Sequence, residues 1–263
     1  MILFAYSQKD QVSLWAGEAL KKIGNFAAKD NFEGARTYVS SESMLAESVA
    51  ANINSEFLDD MKTPECIIFL SAHSSARGIE SFTVHSEGNW GSEAALGSKG
   101  RSLSVAAPLH MLKLARIIGN SERGGSNFVY EATHHGPLLS TPSLFMEFGG
   151  GESAKMKKHK AEMLADYAYR ILDADDYHEK IVVGIGGQHY SEKFTRLALS
   201  KGYAFAHIMP KYYCSEVEML EQAFERSFPK PSAAVIEWKS IKAETRNSII
   251  KKLNDMGMEY EKA

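Results

Sequence analysis

The run Cys66-Ile67-Ile68-Phe69-Leu70 is apolar at every position, with Pro64 before it and Ser71-Ala72-His73-Ser74-Ser75 after it. Successive residues of a strand point to opposite faces, so a strand apolar on both is covered on both. That is the place of a central strand in a layered protein. The second half of the chain supplies layers of the right kind. Residues 180–185, 203–209 and 233–238 read as strands; 191–201, 215–226 and 241–256 read as helices between and after them. Strand and helix in alternation predict an α/β fold with a central sheet flanked by helices.

The first half is less regular. Residues 2–6 read as a buried strand, and 10–23 as a helix with Val12, Trp15, Ala16, Ala19, Leu20 and Ile23 on one face, stopped by Gly24. Residues 36–39 form a weak strand. Residues 43–57 fit a helix through Leu45, Val49, Ile53 and Phe57, or a strand within that stretch. Short strands at 82–85 and 127–130, a helix from Pro108 to Ile118, and a helix over 153–172 complete the set. The extra short strands predict a mixed sheet. The glycine- and serine-rich stretch 88–104 reads as a long mobile loop. The strands ending at Ser71, Tyr130, Phe148 and Ile185 are expected in one sheet, with their following loops on one rim.

With 263 residues and 44% hydrophobic content, the chain has ample material for a core without metal or disulfide support. One domain spanning 1–263 is expected. Its two cysteines, Cys66 and Cys214, form neither a zinc-knuckle spacing nor a disulfide framework, which fits a reducing cytoplasm. The first residues are too short for a signal h-region, and no run approaches a membrane span. A net charge of −3 excludes a globally basic nucleic-acid binder, so any such contact must be a local patch.

Histidines gather where strands end. Tyr130-Glu131-Ala132-Thr133-His134-His135-Gly136-Pro137 places two of them where a strand opens into a loop. His73, His85 and His189 sit at or beside other strand ends, and His207 lies within a strand. His110, His159 and His178 look ordinary. Adjacent residues of a strand point apart, so His134 and His135 can share a site only if the chain has already turned. Glu147, inside the apolar strand 142–148, needs a cation, a hydrogen-bond network or a metal if it is buried; at an edge it would face water. Histidine and carboxylate ligands drawn from several loops describe a catalytic zinc site, and a metal-free polar cluster is the alternative. The glycines of Gly184-x-Gly186-Gly187 are a poor match to a dinucleotide fingerprint.

Taken in order, several segments resemble the archaeal and plant type of D-aminoacyl-tRNA deacylase. They are Phe69-Leu70-Ser71-Ala72-His73-Ser74-Ser75, Thr83-Val84-His85 with Gly88-Asn89, Glu131-Ala132-Thr133-His134-His135-Gly136-Pro137, Pro142-Ser143-Leu144-Phe145-Met146-Glu147-Phe148-Gly149, Gly184-Ile185-Gly186-Gly187-Gln188-His189-Tyr190, and Ala206-His207. The resemblance covers nearly the whole chain. Gly149-Gly150-Gly151-Glu152 departs from it, standing where a serine and a threonine follow the first glycine. The resemblance implies hydrolysis of the ester joining a D-amino acid to the terminal ribose of tRNA, with zinc. It also implies a phosphorylase/hydrolase-like fold related to bacterial peptidyl-tRNA hydrolase.

The expected mechanism is zinc-assisted attack of water, zinc bringing the pKa of water to roughly 7. The metal pool is His73, His85, His134 and His189. His134, His135 and Glu147 are the candidate catalytic residues. Lys157, Lys158, Tyr190 and His207 are the candidate substrate-binding residues. Lys155, Lys157, Lys158 and Lys160 crowd the start of the helix over 153–172, where cations oppose the helix dipole; they can meet the acceptor-stem backbone or form a solvated face. The resemblance implies D-aminoacyl-tRNA as the partner; no membrane involvement and a monomer or small homo-oligomer are expected. The other readings are a phosphorylase- or peptidase-like metal-dependent hydrolase of small molecules, and a tRNA-binding module without chemistry.

Overall fold

The structure, a computed structural model, describes every residue except 74–77, 151–152 and 176–178. Ser74 and Ser75 of the histidine motif, Gly151 and Glu152 of the glycine turn, and His178 lie outside the described residues.

The chain opens with β1 (Ile2–Ser7), α1 (Gln11–Ile23), β2 (Ala27–Ala28), β3 (Ala35–Val39) and β4 (Ser43–Ser48). The ambiguous stretch 43–57 is thus a strand followed by short 3-10 turns. β4 is buried along its length, and tertiary burial overrides a pattern that also fits a helix. Then come β5 (Cys66–His73), β6 (Ser81–His85), β7 (Gly88–Asn89), β8 (Ser102–Leu103), α2 (Pro108–Gly119), β9 (Asn127–Tyr130), β10 (Ser143–Gly149) and α3 (Ala154–Tyr169). The stretch 88–104 is a packed excursion rather than an open loop: β7 and β8 pair, and Trp90 within it is buried, its Nε1 donating to Thr133 O at 3.1 Å.

An eight-stranded mixed sheet runs β2-β3-β4-β1-β5-β10-β6-β9, with β5 and β10 near its centre as the apolar run requires. β4, β1, β5 and β10 are parallel, and β6 turns antiparallel against β10. One face, bearing Leu70, Met146, Phe148, Phe82 and Val84, packs beneath helices in the main core. The other face bears Ile67, Phe69 and Phe145, which pack with Leu3, Ala5 and Leu139.

The last third holds β11 (Ile181–Ile185), α4 (Glu192–Lys201), β12 (Ala204–Met209), α5 (Met219–Glu225), β13 (Ala233–Ile236), α6 (Ala243–Asp255) and β14 (Glu259–Lys262). These strands form a separate parallel sheet, β12-β11-β13-β14. The expectation that the strand ending at Ile185 shares a sheet with those ending at Ser71, Tyr130 and Phe148 is therefore corrected. Alternating strand and helix predicts parallel pairing among near neighbours, not which sheet a unit joins. The helix read over 215–226 is shorter, starting at Met219 with no side-chain hydrogen bond at its N-cap Glu218, and β14, a half-exposed polar edge strand, carries no apolar signature in the sequence.

Two links bring the sheets together. Val182, Phe205 and Val235 of the small sheet share the main core with Phe4, Leu70 and Tyr130 of the large one. The backbone after β9 also pairs with the loop after β11: Ala132 N donates to His189 O at 2.8 Å and Ser191 N to Tyr130 O at 2.8 Å. This seam carries the candidate site. Among the described residues no helix is long and apolar enough to cross a membrane.

Candidate active site

Register puts three of the site residues on one face of the large sheet. Gly149 of β10 lies opposite His73 of β5, Glu147 opposite Ser71 and Thr83, and Phe145 opposite His85 of β6. By strand alternation His73, Glu147 and His85 then share the face of Phe69 and Phe145. Asp10 braces this end of β5: one carboxylate oxygen caps α1 by accepting from Val12 N and Ser13 N, and the other accepts from Ala72 N at 2.5 Å.

The two adjacent histidines reach the same place by a turn. His135 has φ +47, a left-handed conformation costly for a residue with a Cβ. That turn breaks the strand alternation, and the rings of His134 and His135 end 4.3 Å apart. Gly88 N donates to His135 O at 2.7 Å and fixes the turn against β7. His189 and Tyr190 arrive from the other sheet, after the Gly186-Gly187 turn.

Glu131 stands at the centre. Its Oε1 is 3.0 Å from His73 Nδ1, and its Oε2 is 3.1 Å from His189 Nε2 and 3.6 Å from His134 Nε2. Glu147 Oε2 is 3.6 Å from His73 Nδ1 and 3.7 Å from His85 Nε2. Both carboxylates are buried, at 1% and 4% exposure, a costly placement without opposing charge. Burial opposes ionisation of each, but the histidine contacts outweigh it and both pKa values lie below the ordinary carboxylate value, that of Glu131 far below. On His73 burial is likewise outweighed by Glu131 and Glu147, and its pKa rises to about 11. Its Nε2 meets the Tyr190 hydroxyl at 2.5 Å. His134 and His135 behave oppositely: burial, then the neighbouring His85, lowers both, His134 far and His135 to about 4, so both rings are neutral at pH 7.

These residues fit a metal ion. Three sets, His85/His134/His135, Glu131/His134/His189 and His73/Glu131/Glu147, each bring one donor atom per residue within 4.8 Å of the others. Two ligand atoms on one tetrahedral zinc lie about 3.3 Å apart. The separations of Glu131 Oε2 from His189 and His134, 3.1 and 3.6 Å, bracket that figure. The outer nitrogens are already engaged: His134 Nδ1 donates to Ala132 O at 2.8 Å and His135 Nδ1 to Gly136 O at 2.6 Å. Each bond leaves Nε2 unprotonated, the state a metal ligand requires. Among the described residues, His85 Nε2 is buried without a hydrogen-bond partner.

A sequence model of the D-aminoacyl-tRNA deacylase family matches residues 60–261 of this chain. The chain belongs to that family. It is similar to the D-aminoacyl-tRNA deacylases of Pyrococcus furiosus and Thermococcus onnurineus, each 35% identical across 91% of this chain and 92% of the relative. That of Thermococcus kodakarensis is 36% identical over the same shares. A crystal structure of a conserved protein of unknown function superposes with a TM-score of 0.91 at 29% identity, over 100% of this chain and 95% of that one.

Within this deacylase, the cluster contains His73, His85, His134, His135, Glu147 and His189 as the sequence predicts, with Tyr190 beside them. Glu131, at the middle of the cluster, is a candidate that the sequence does not reveal. It stands four residues before His135 in the same motif, but in a strand–loop register only the structure shows. His207 lies apart: it is fully buried, its Nε2 donating to Arg226 O at 2.9 Å and its Nδ1 accepting from Thr133 Oγ1 at 3.2 Å. It braces Thr133, next to His134, and has no open face for substrate. Lys160 is also spoken for. It is 3% exposed, with Nζ donating to Arg123 O and Gly124 O at 2.6 and 2.9 Å, so it leaves the basic group. Lys155 and Lys158 are exposed and Lys157 half-buried, on a helix that begins a few residues past Gly149, the residue paired with His73. Glu87 is a further buried carboxyl; burial raises its pKa to about 8, and it accepts from Ser143 Oγ at 3.3 Å.

Proposed function

We propose that this deacylase hydrolyses the ester joining a D-amino acid to the terminal ribose of tRNA, and that zinc is the metal of its histidine–carboxylate centre. The observation that carries the reading is the buried Glu131, with histidines against both oxygens, in a chain of a family named for that reaction. Glu131, His134 and His189 would hold the ion, a histidine–carboxylate set of the kind that binds catalytic zinc. Zinc bound there supplies positive charge to polarise the ester carbonyl and to favour ionised water.

The chain's own residues do the rest. His135 is neutral and carries its proton on Nδ1, so its Nε2 can accept a proton from the attacking water. Water oxygen bonds to the carbonyl carbon, the bond to the ribose oxygen breaks, and the proton held by His135 passes to that oxygen. The products are a D-amino acid and tRNA. His73, charged between Glu131 and Glu147, stabilises negative charge developing on the carbonyl oxygen. Glu147 keeps His73 and His85 in place. Tyr190, 38% exposed beside His73, is open to contact with the substrate. Lys157 and Lys158 meet phosphates of the acceptor stem. The fold is read as phosphorylase/hydrolase-like, a relative of bacterial peptidyl-tRNA hydrolase.

The test is turnover of one D-aminoacyl-tRNA beside its L counterpart, a nucleoside with phosphate, and a peptide. Release of the D-amino acid with little turnover of the other three is expected. Turnover of the nucleoside or the peptide in preference to the D-ester would replace this reading with a small-molecule hydrolase.

A further inference from the structure

The carboxyl edge of a parallel sheet is where ligands of α/β proteins bind. At that edge of the small sheet, two neighbouring strands send loops to the same place. The loop after β11 brings His189 to the centre. The loop after β12, Pro210-Lys211-Tyr212-Tyr213, lies against it: the Tyr212 hydroxyl is 3.5 Å from His189 Nδ1. Tyr212 is nonetheless 55% exposed, an uncommon place for a ring of that size beside a buried polar centre.

This loop is rigidly built. Lys211 N donates to Gly187 O at 2.9 Å, Tyr213 N to Pro210 O at 2.9 Å, and the buried Cys214 thiol packs beneath against Pro210 O. The Tyr213 ring backs the Tyr212 ring, centroids 5.0 Å apart. Lys211 is exposed and, among the described residues, has no ion-pair partner. A fixed aromatic face and a cation one residue apart suit one class of ligand, a nucleotide at the end of a single strand. Aromatic faces take up unpaired bases by stacking, and lysine meets the adjoining phosphate.

The geometry points to Lys211 and Tyr212 as the binding site for the 3′-terminal nucleotide of the substrate RNA, Tyr212 stacking on the base and Lys211 facing its phosphate. This rests on the deacylase reading, and it differs from the lysines of α3 by addressing the single-stranded end rather than the stem. It places the terminal ribose, and the ester on it, next to His189.

The experiment uses the whole protein, loaded with zinc, and an uncharged RNA microhelix with a single-stranded 3′ end, compared with the same RNA lacking its last adenosine. Binding is read by anisotropy. Tyr212→Ala should weaken the complete RNA roughly tenfold and leave the shortened RNA unaffected, because the stacking face is gone. Tyr212→Phe keeps the aromatic face and should hold most of the affinity. Lys211→Ala should lower the slope of log affinity against log salt by about 0.7, the single-strand value for one phosphate. In turnover of D-aminoacyl-tRNA the Tyr212→Ala loss should fall on KM more than on kcat. Equal weakening of both RNAs by Tyr212→Ala, or none, would overturn the site. So would Tyr212→Phe failing as badly as Tyr212→Ala, since the hydroxyl on His189 would then be the whole role. Because binding is measured without turnover, a wild-type protein that binds the RNA end but hydrolyses no D-ester would sink the deacylase reading and leave this one standing.

Discussion

Glu131 Oε2 lies 3.1 Å from His189 Nε2, and the two residues follow strands of different sheets. The contact closes the seam between the eight-stranded and the four-stranded sheet. It is flanked by backbone pairing of Ala132 with His189 and of Tyr130 with Ser191. The centre is thus assembled only when both sheets are docked, and the carboxylate that joins them belongs to two of the three groups close enough to hold a metal. Glu131→Gln keeps the shape and removes the charge. It should lower metal content and reduce kcat/KM by about 100-fold or more, since even outer partners of metal ligands are worth about 10- to 100-fold. Metal analysis of the purified variant alongside its kinetics checks this; full metal content with full activity would remove Glu131 from the centre.

Stripping the metal should abolish turnover, and zinc should restore it. The three candidate sets predict an order among histidine variants. His134 takes part in two sets, so His134→Ala should cost the most metal; His85→Ala, in one set, should cost less. Equal metal loss from both, or none from His134→Ala, would shift the ion to a different set. Added zinc should also raise the unfolding temperature of stripped protein, because it binds the folded state alone.

For tRNA affinity the α3 lysines reduce to Lys155, Lys157 and Lys158, now that Lys160 is tied to Arg123 and Gly124. Lys157→Ala with Lys158→Ala should raise KM for D-aminoacyl-tRNA and flatten its dependence on salt. The log–log slope should fall by about 0.9 for each phosphate that is no longer neutralised, the value for a B-form duplex applied to the acceptor stem. Turnover at saturation should change little. The same KM and slope as the wild type would mark the helix face as merely solvated.

The buried strands and most of the centre were legible because burial and chemistry leave local marks. Cys66–Leu70 is apolar on both faces, as a central strand must be, and a histidine beside a glycine or a proline marks a turn where side chains can converge. Pairing between distant segments leaves no such mark. Nothing local in residues 181–185 says that this strand begins a second sheet. Glu131 reads as an ordinary polar residue after a strand until His73 and His189 are brought to it from 58 residues away on each side. His207 shows the opposite error. Its place beside Ala206 in a shared motif suggests a substrate contact, but a strand residue in a sheet interior is buried, and this one is satisfied at both nitrogens.

His207 also gives a prediction for acid stability. Burial, only partly offset by the hydrogen bond to Arg226 O, lowers its pKa from 6.5 to about 4. The folded state therefore refuses a proton that the unfolded chain accepts between those values. Stability from this residue is fully present above pH 6.5 and is lost progressively as pH falls towards 4. Each pKa unit is worth about 1.4 kcal/mol, so the full span is worth about 3 kcal/mol. His207→Gln places an amide where Nε2–H was and does not titrate. At pH 7.5 it should be less stable than the wild type by about 1–3 kcal/mol, from imperfect packing and the lost bond to Thr133. At pH 5 the wild type has given up about 2 kcal/mol of its advantage, so the gap should narrow by that amount. The other histidines titrate alike in both proteins and cancel in the difference. Urea unfolding of the two proteins at both pH values measures it, and a gap that stays constant would mean that His207 accepts its proton in the folded protein as readily as in the unfolded chain.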